Sequence, residues 1–168
     1  MTYSAVIGID PGLSGGIAIM RSTQLVDVIP IPTTERDVDA AKLIKWIRLH
    51  TFADPYIGGL SVIAYIENVH SMPGQGVASV FKFGFVTGKL EGIIETLEIP
   101  LKKVTPQAWK KELLEGTPKD KQATIDYCLR VFPGVNLIAQ GARTYHSGMA
   151  DALCIAEYGY RKEGASHL

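Results

Sequence analysis

The chain reads as an α/β domain, a mixed β-sheet with helices packed on it. Three observations predict this. Two uncharged, β-branched runs, Ala5-Val6-Ile7-Gly8-Ile9 and Val62-Ile63-Ala64-Tyr65-Ile66, each end in a single acid, Asp10 and Glu67. Such runs suit strands that are buried on both faces. Two more short strand patterns follow the first run directly, and helical patterns dominate after the second. A meander followed by strand–helix crossovers gives a mixed sheet with helices packed on it.

Taken in order, Pro11-Gly12 turns the chain after Asp10, and Gly15-Gly16-Ile17-Ala18-Ile19-Met20 returns beside the first strand. Gln24 to Ile29 reads as a third strand, ended by Pro30 and Pro32. Thr34 with Asp37 three residues on is a helix-capping signature. The helix it predicts runs to about His50, with Val38, Ala41, Leu43, Ile44 and Ile47 on one face. Phe52 to Gly59 is a loop. Ser61 to Glu67 follows a helix and should lie parallel to the first strand.

Asn68 to Gly76 reads as a loop, Val77 to Leu97 as a long helix and Leu101 to Val104 as a short strand. Pro106 suits the first turn of a helix reaching Leu114. Pro118 starts another, ending near Phe132-Pro133-Gly134, and Val135 to Tyr145 is irregular. Ser147 caps a last helix, Gly148 to about Arg161, and the final residues fray.

At 168 residues the chain forms one domain, 1–168, with a full core. A hydrophobic content of 46% with 20% charged residues argues for a globular chain and against disorder. The formal net charge is zero, so any affinity for nucleic acid has to come from local patches. Cys128 and Cys154 sit in apolar helical patterns and read as buried free thiols. No apolar run is long enough to span a bilayer, and a soluble, cytoplasmic setting is expected.

The chemistry lies in the acids. If the two acid-ending strands are parallel neighbours, their ends coincide about 4.8 Å apart. Asp10 and Glu67 then meet at the edge where open α/β sheets bind ligands. Asp151 lies among small and apolar residues, Met149-Ala150-Asp151-Ala152-Leu153, in a helix that must pack closely on something. An acid there is costly unless a cation or donor meets it. The plain alternative for each is a turn-opening Asp, a solvated strand end and a helix-start Asp facing the dipole. Magnesium would remove the repulsion of three clustered carboxylates, being a hard ion that takes oxygen ligands. Two such ions about 3.5–4 Å apart suit phosphoryl chemistry. Lysines could also settle the charge, but none lies within a few residues of the three acids.

Three stretches in this order, Gly8-Ile9-Asp10-Pro11-Gly12, Ile66-Glu67-Asn68-Val69 and Ala150-Asp151-Ala152-Leu153, resemble the RuvC family of Holliday junction resolvases, in its phage-type form. The resemblance covers nearly the whole chain. It implies an RNase H-like fold, with a mixed five-stranded sheet and helices on both faces. It further implies a homodimeric, magnesium-dependent endonuclease that cuts four-way DNA junctions symmetrically, in the cytoplasm of a bacterial or phage-infected cell. Two Mg2+ ions are expected, with Mn2+ as a substitute, and Asp10, Glu67 and Asp151 fall on the family's metal ligands.

Two positions depart from the family. Its fourth ligand, an Asp or His, stands three residues before the position of Asp151, where this chain has Gly148. His146 is the nearest replacement, as ligand or as a surface histidine before a cap. His70 stands where relatives carry an aromatic wedge that stacks on bases, and a solvated loop residue is its alternative.

Lys82, Lys89, Lys102, Lys103, Lys110, Lys111, Lys119 and Lys121 fall mid-chain among acids, as a DNA surface or a bland solvated one. Lys121 matches a lysine important in the family and ranks first for DNA binding, followed by Lys119 and His70. The Val77 to Leu97 helix is apolar on more than one side, with Gly84, Gly88 and Gly92 every four residues. One side can cover the sheet and the other a partner chain. A catalytically silent junction-binding module is the rival reading. An actin-like ATP-binding protein is a weaker one, since that fold needs about twice this length.

Overall fold

The computed structural model describes residues 3–35, 37–51, 60–68, 74 and 76–164. These form β1 (Ala5–Asp10), β2 (Gly16–Met20), β3 (Val26–Pro30), α1 (Ala40–Thr51), β4 (Val62–Glu67), α2 (Val77–Thr96), β5 (Leu101–Val104), α3 (Pro106–Leu113), α4 (Lys121–Val131) and α5 (Ser147–Lys162). The 52–59 loop, His70 and the last four residues, for which expectations were stated, lie outside the described residues. Among the described residues no helix is long and apolar enough to cross a membrane.

The five strands form one sheet in the order β3-β2-β1-β4-β5. The meander β1–β2–β3 is antiparallel. The β1–β4 and β4–β5 pairs are parallel, as expected for strands joined by helical crossovers. Side chains alternate across the sheet. Ala5, Ile7 and Ile9 of β1 enter a core with Leu43 and Ile47 of α1 and Leu90 and Ile94 of α2. Val6 enters the opposite core with Trp109 of α3, Cys128 of α4 and Leu153 of α5. Helices therefore cover both faces.

α5 is pressed directly against the sheet. A Cβ at Gly8 would collide with the backbone of Ala152 and Ala156, and one at Gly159 would stand 2.6 Å from Tyr65 Cδ2. A Cβ at Gly16 would stand 2.8 Å from Met149 Cα. These contacts give a direction. The start of α5 lies by Gly16, its middle by Gly8 and its end by Val6, so it runs antiparallel to β1 with its N-terminus at the Asp10 pole. At the far pole Lys102 reaches Glu163 at 2.6 Å, and Tyr65 donates to the same carboxylate. Cys128 and Cys154 are free and buried between α4 and α5, with sulfurs 3.7 Å apart.

Three helix starts differ from expectation. The Thr34/Asp37 pair closes a turn instead of capping a helix: Thr34 Oγ1 donates to the Asp37 carbonyl at 3.3 Å, and Thr33 bridges Val38. Asp37's own carboxylate is engaged by Lys89 at 2.6 Å. Asp39 caps α1, its Oδ1 accepting from Lys42 N at 3.0 Å. α4 begins at Lys121, not Pro118, because Asp120 is the cap and accepts from Ala123 N at 2.8 Å. α5 begins at Ser147 itself, and the cap is His146.

Candidate active site

Asp10 ends β1 and Glu67 ends β4, and the parallel register Ile9↔Ile66 brings both to one pole. Gly12 turns the chain just beyond Asp10 with φ 132°, a conformation that side chains rarely adopt. Gly15 lies so close under Asp10 that a Cβ there would strike the Asp10 carbonyl. The hairpin thus folds tightly behind Asp10. Asp151 sits on the fifth residue of α5, one turn in from the end that packs on Gly16.

The three acids feel one another. Asp10 is pushed up to about 8, first by burial, then by the charges of Asp151 and Glu67. Glu67 is raised by burial and by Asp151, and Asp151 is raised by burial. Lys110 opposes all three shifts, and Lys121 opposes those of Asp10 and Asp151. Lysines distant in sequence are therefore the countercharges that local spacing did not reveal. α3 supplies Lys110 and the first residue of α4 supplies Lys121.

Two more residues join the site that sequence reasoning missed. Trp109 Nε1 donates to Glu67 Oε1 at 2.8 Å. Thr124 lies against the Asp151 carboxylate and holds its rise in pKa down, while the Thr124 hydroxyl donates to the Lys121 carbonyl at 2.9 Å. A lone Trp after Pro106 reads as core in a sequence. Only the Glu67↔Val104 pairing, which places the start of α3 beside Glu67, exposes its second role.

The acids fit a hard cation by the chemistry of the donor set. All donors are oxygens, and Asp151 Oδ1 is buried with no hydrogen-bond partner. Such an atom is costly to leave unmatched. Among the described residues no three His, Cys, Asp or Glu side chains stand together as a group that could hold a metal ion, so the three acids share a pole without already converging on one point. Magnesium does not need a closed cage, because it keeps several waters and takes one or two carboxylates.

His146 is half-buried, and its Nδ1 accepts from Met149 N at 3.2 Å. A neutral imidazole that accepts at Nδ1 carries its hydrogen on Nε2, which is then a donor and not a ligand. Capping and metal ligation compete for this ring. At Gly148 a Cβ would strike the Ser14 carbonyl and stand 2.8 Å from Gly15 carbons. α5 meets the β1–β2 turn backbone to backbone, so no ligating side chain has room there. Lys119 is exposed in the turn ahead of Asp120, with φ 60°. Lys89, Lys102 and Lys103 are taken up in ion pairs with Asp37, Glu163 and Glu91.

No family model matches the sequence, and no curated protein matches it. Solved structures do match. Thermus thermophilus RuvC is 19% identical over 96% of this chain and 97% of its own, with a TM-score of 0.52. The same protein in complex with a Holliday junction substrate is 18% identical over 97% and 98%, with a TM-score of 0.55. The yeast mitochondrial Holliday junction resolvase Ydc2 is 16% identical over 98% of this chain and 80% of its own, with a TM-score of 0.57. Across nearly its whole length, the chain has the α/β fold of the RuvC-type Holliday junction resolvases.

Proposed function

We propose that this protein is a metal-dependent endonuclease that resolves four-way DNA junctions. The observation that carries the reading is the meeting of Asp10, Glu67 and Asp151 at one pole, beside Lys110 and Lys121. Asp10, Glu67 and Asp151, with His146 as the candidate fourth ligand if its ring gives up the cap, would hold two Mg2+ ions, with Mn2+ as a substitute. Bound there, the metal would supply Lewis-acid activation of a water and of the scissile phosphodiester.

The chain's own residues do the rest. Burial of the acids raises the cost of leaving them charged and uncompensated, which favours cation uptake. Lys121 opens α4, where a phosphate would offset the opposition between cation and dipole. Beside Asp10 a groove of about 430 Å³ runs between Pro11–Ser14 and Ser79, Lys82 and Phe83 of α2. Its hydroxyls, ammonium and ring suit a DNA strand passing the acids. His70 keeps its proposed role as a base-stacking residue.

Two symmetric cuts call for a two-fold pair of sites. Val77, Phe81 and Phe85 of α2 are 86%, 76% and 58% exposed at helical spacing. At Gly84, Gly88 and Gly92 an added Cβ meets nothing within 4 Å. This face, free in one chain, is the proposed homodimer contact.

The test is incubation of the protein with a labelled four-way junction and with a linear duplex of the same sequence, with and without Mg2+. Paired nicks on the junction alone, only with the cation, are expected. Asp10→Asn, Glu67→Gln and Asp151→Asn should each abolish nicking and keep binding. The second reading, a junction-binding module that does not cut, is favoured by the finding that among the described residues no three His, Cys, Asp or Glu side chains stand as a group that could hold a metal ion. Junction binding without nicking in either Mg2+ or Mn2+ would establish it.

A further inference from the structure

Trp109 is fully buried, and its indole N–H has one partner, Glu67 Oε1, at 2.8 Å. A buried indole needs an acceptor, but packing alone does not require that acceptor to be an acid of the site. A phenylalanine would occupy the same core position, though it would leave part of the volume empty, without touching Glu67. Both ends of the bond are held by backbone. Glu67 pairs with Val104 of β5, Asn68 N donates to the Val104 carbonyl at 2.7 Å, and Thr105 then caps α3 by accepting from Ala108 N. Trp109 follows one turn on. Lys110 lies over the ring of Trp109, 5.1 Å from its centroid.

The last torsion of a glutamate is soft, with a broad distribution. A free Glu67 would rotate its carboxylate. A hydrogen bond on Oε1 removes that freedom and leaves Oε2 open. The geometry points to Trp109 as a positioning residue of the carboxylate site, whose N–H fixes Glu67 so that a single oxygen is presented to a divalent cation. This inference rests on the reading of Asp10, Glu67 and Asp151 as cation ligands. Groups that orient a ligand in this way typically matter 10- to 100-fold, by order of magnitude, for cation affinity.

The chain has two tryptophans. Trp46 is on α1, against His50 at 4.5 Å, and packs in the core on the other face of the sheet. In a Trp46→Phe protein, emission therefore reports Trp109 alone. Mg2+ and Ca2+ are titrated without DNA, and emission and melting temperature are recorded together. The expected result is a saturable emission shift whose midpoint matches the dissociation constant from calorimetry, alongside a rise in melting temperature, with both lost on adding Glu67→Gln. In the otherwise unmutated chain, Trp109→Phe should weaken cation binding by about 10- to 100-fold in calorimetry. If Trp109→Phe does not fold, the emission titration decides. Cation binding that raises the melting temperature but leaves Trp109 emission unmoved overturns the positioning role and spares the ligand reading. Absence of any cation binding by the unmutated protein overturns both.

Discussion

Asp10 shows what the acid site costs the metal-free protein. Burial and the Asp151 and Glu67 charges raise it from 3.8 to about 8. Between those values the folded chain holds a proton that the unfolded chain has released. Stability is therefore fullest below the lower value and falls as pH rises through the upper one. Asp10→Asn removes the charge at fixed shape. It should raise the melting temperature of cation-free protein near pH 8 by several degrees, at about 2–4 °C per kcal/mol relieved, and less near pH 5. Scanning calorimetry at the two pH values checks it, and equal gains at both would remove burial as the cause. His146 separates two roles in the same way. His146→Ala loses the cap, with a cost of about 0.5–2 kcal/mol, and cleavage should fall with it. His146→Asn keeps a capping oxygen and should restore both the melting temperature and the cleavage rate. Restored stability without restored cleavage would favour the ring as the fourth metal ligand.

At the scale of elements, what the sequence made legible follows what each element is paired with. β1 and β4 were readable because strands buried on both faces are written as apolar runs, and their matched terminal acids predicted the shared pole. β5 matched to the residue. The misplaced starts of α1, α4 and α5 all lie where several neighbouring residues could cap. Lys89 drew Asp37 away from a capping role, and the left-handed Lys119 set α4 to begin after Asp120. Trp109, Lys110 and Thr124 were not legible as site residues because they reach the acids only through sheet register and helix docking. α2 bears out its reading on one side, with Val86, Leu90, Ile93 and Ile94 buried. Its other side carries the dimer prediction. Phe85→Glu should give a folded monomer by light scattering at micromolar concentration, with unchanged far-ultraviolet circular dichroism. A persisting dimer would move the contact elsewhere.

For the whole molecule, zero net charge means that attraction to DNA has to be local. Lys121→Ala should weaken junction binding and lower the slope of log K against log salt by roughly one unit, measured by fluorescence polarisation over a salt series. An unchanged slope would leave Lys121 as a countercharge to Asp10 and Asp151 only. Neutrality has another side. A chain with a pI of about 6.9 has little electrostatic repulsion between copies in ordinary buffers. One of its two edge strands, β5, pairs with β4 on one side only. Lys102 and Lys103 occupy the middle of that strand, about half-exposed, each held by an acid from another element. Charged, anchored lysines on an open edge obstruct the docking of a second strand. At this edge the sheet is thereby kept from growing by strand addition, leaving self-association to other surfaces.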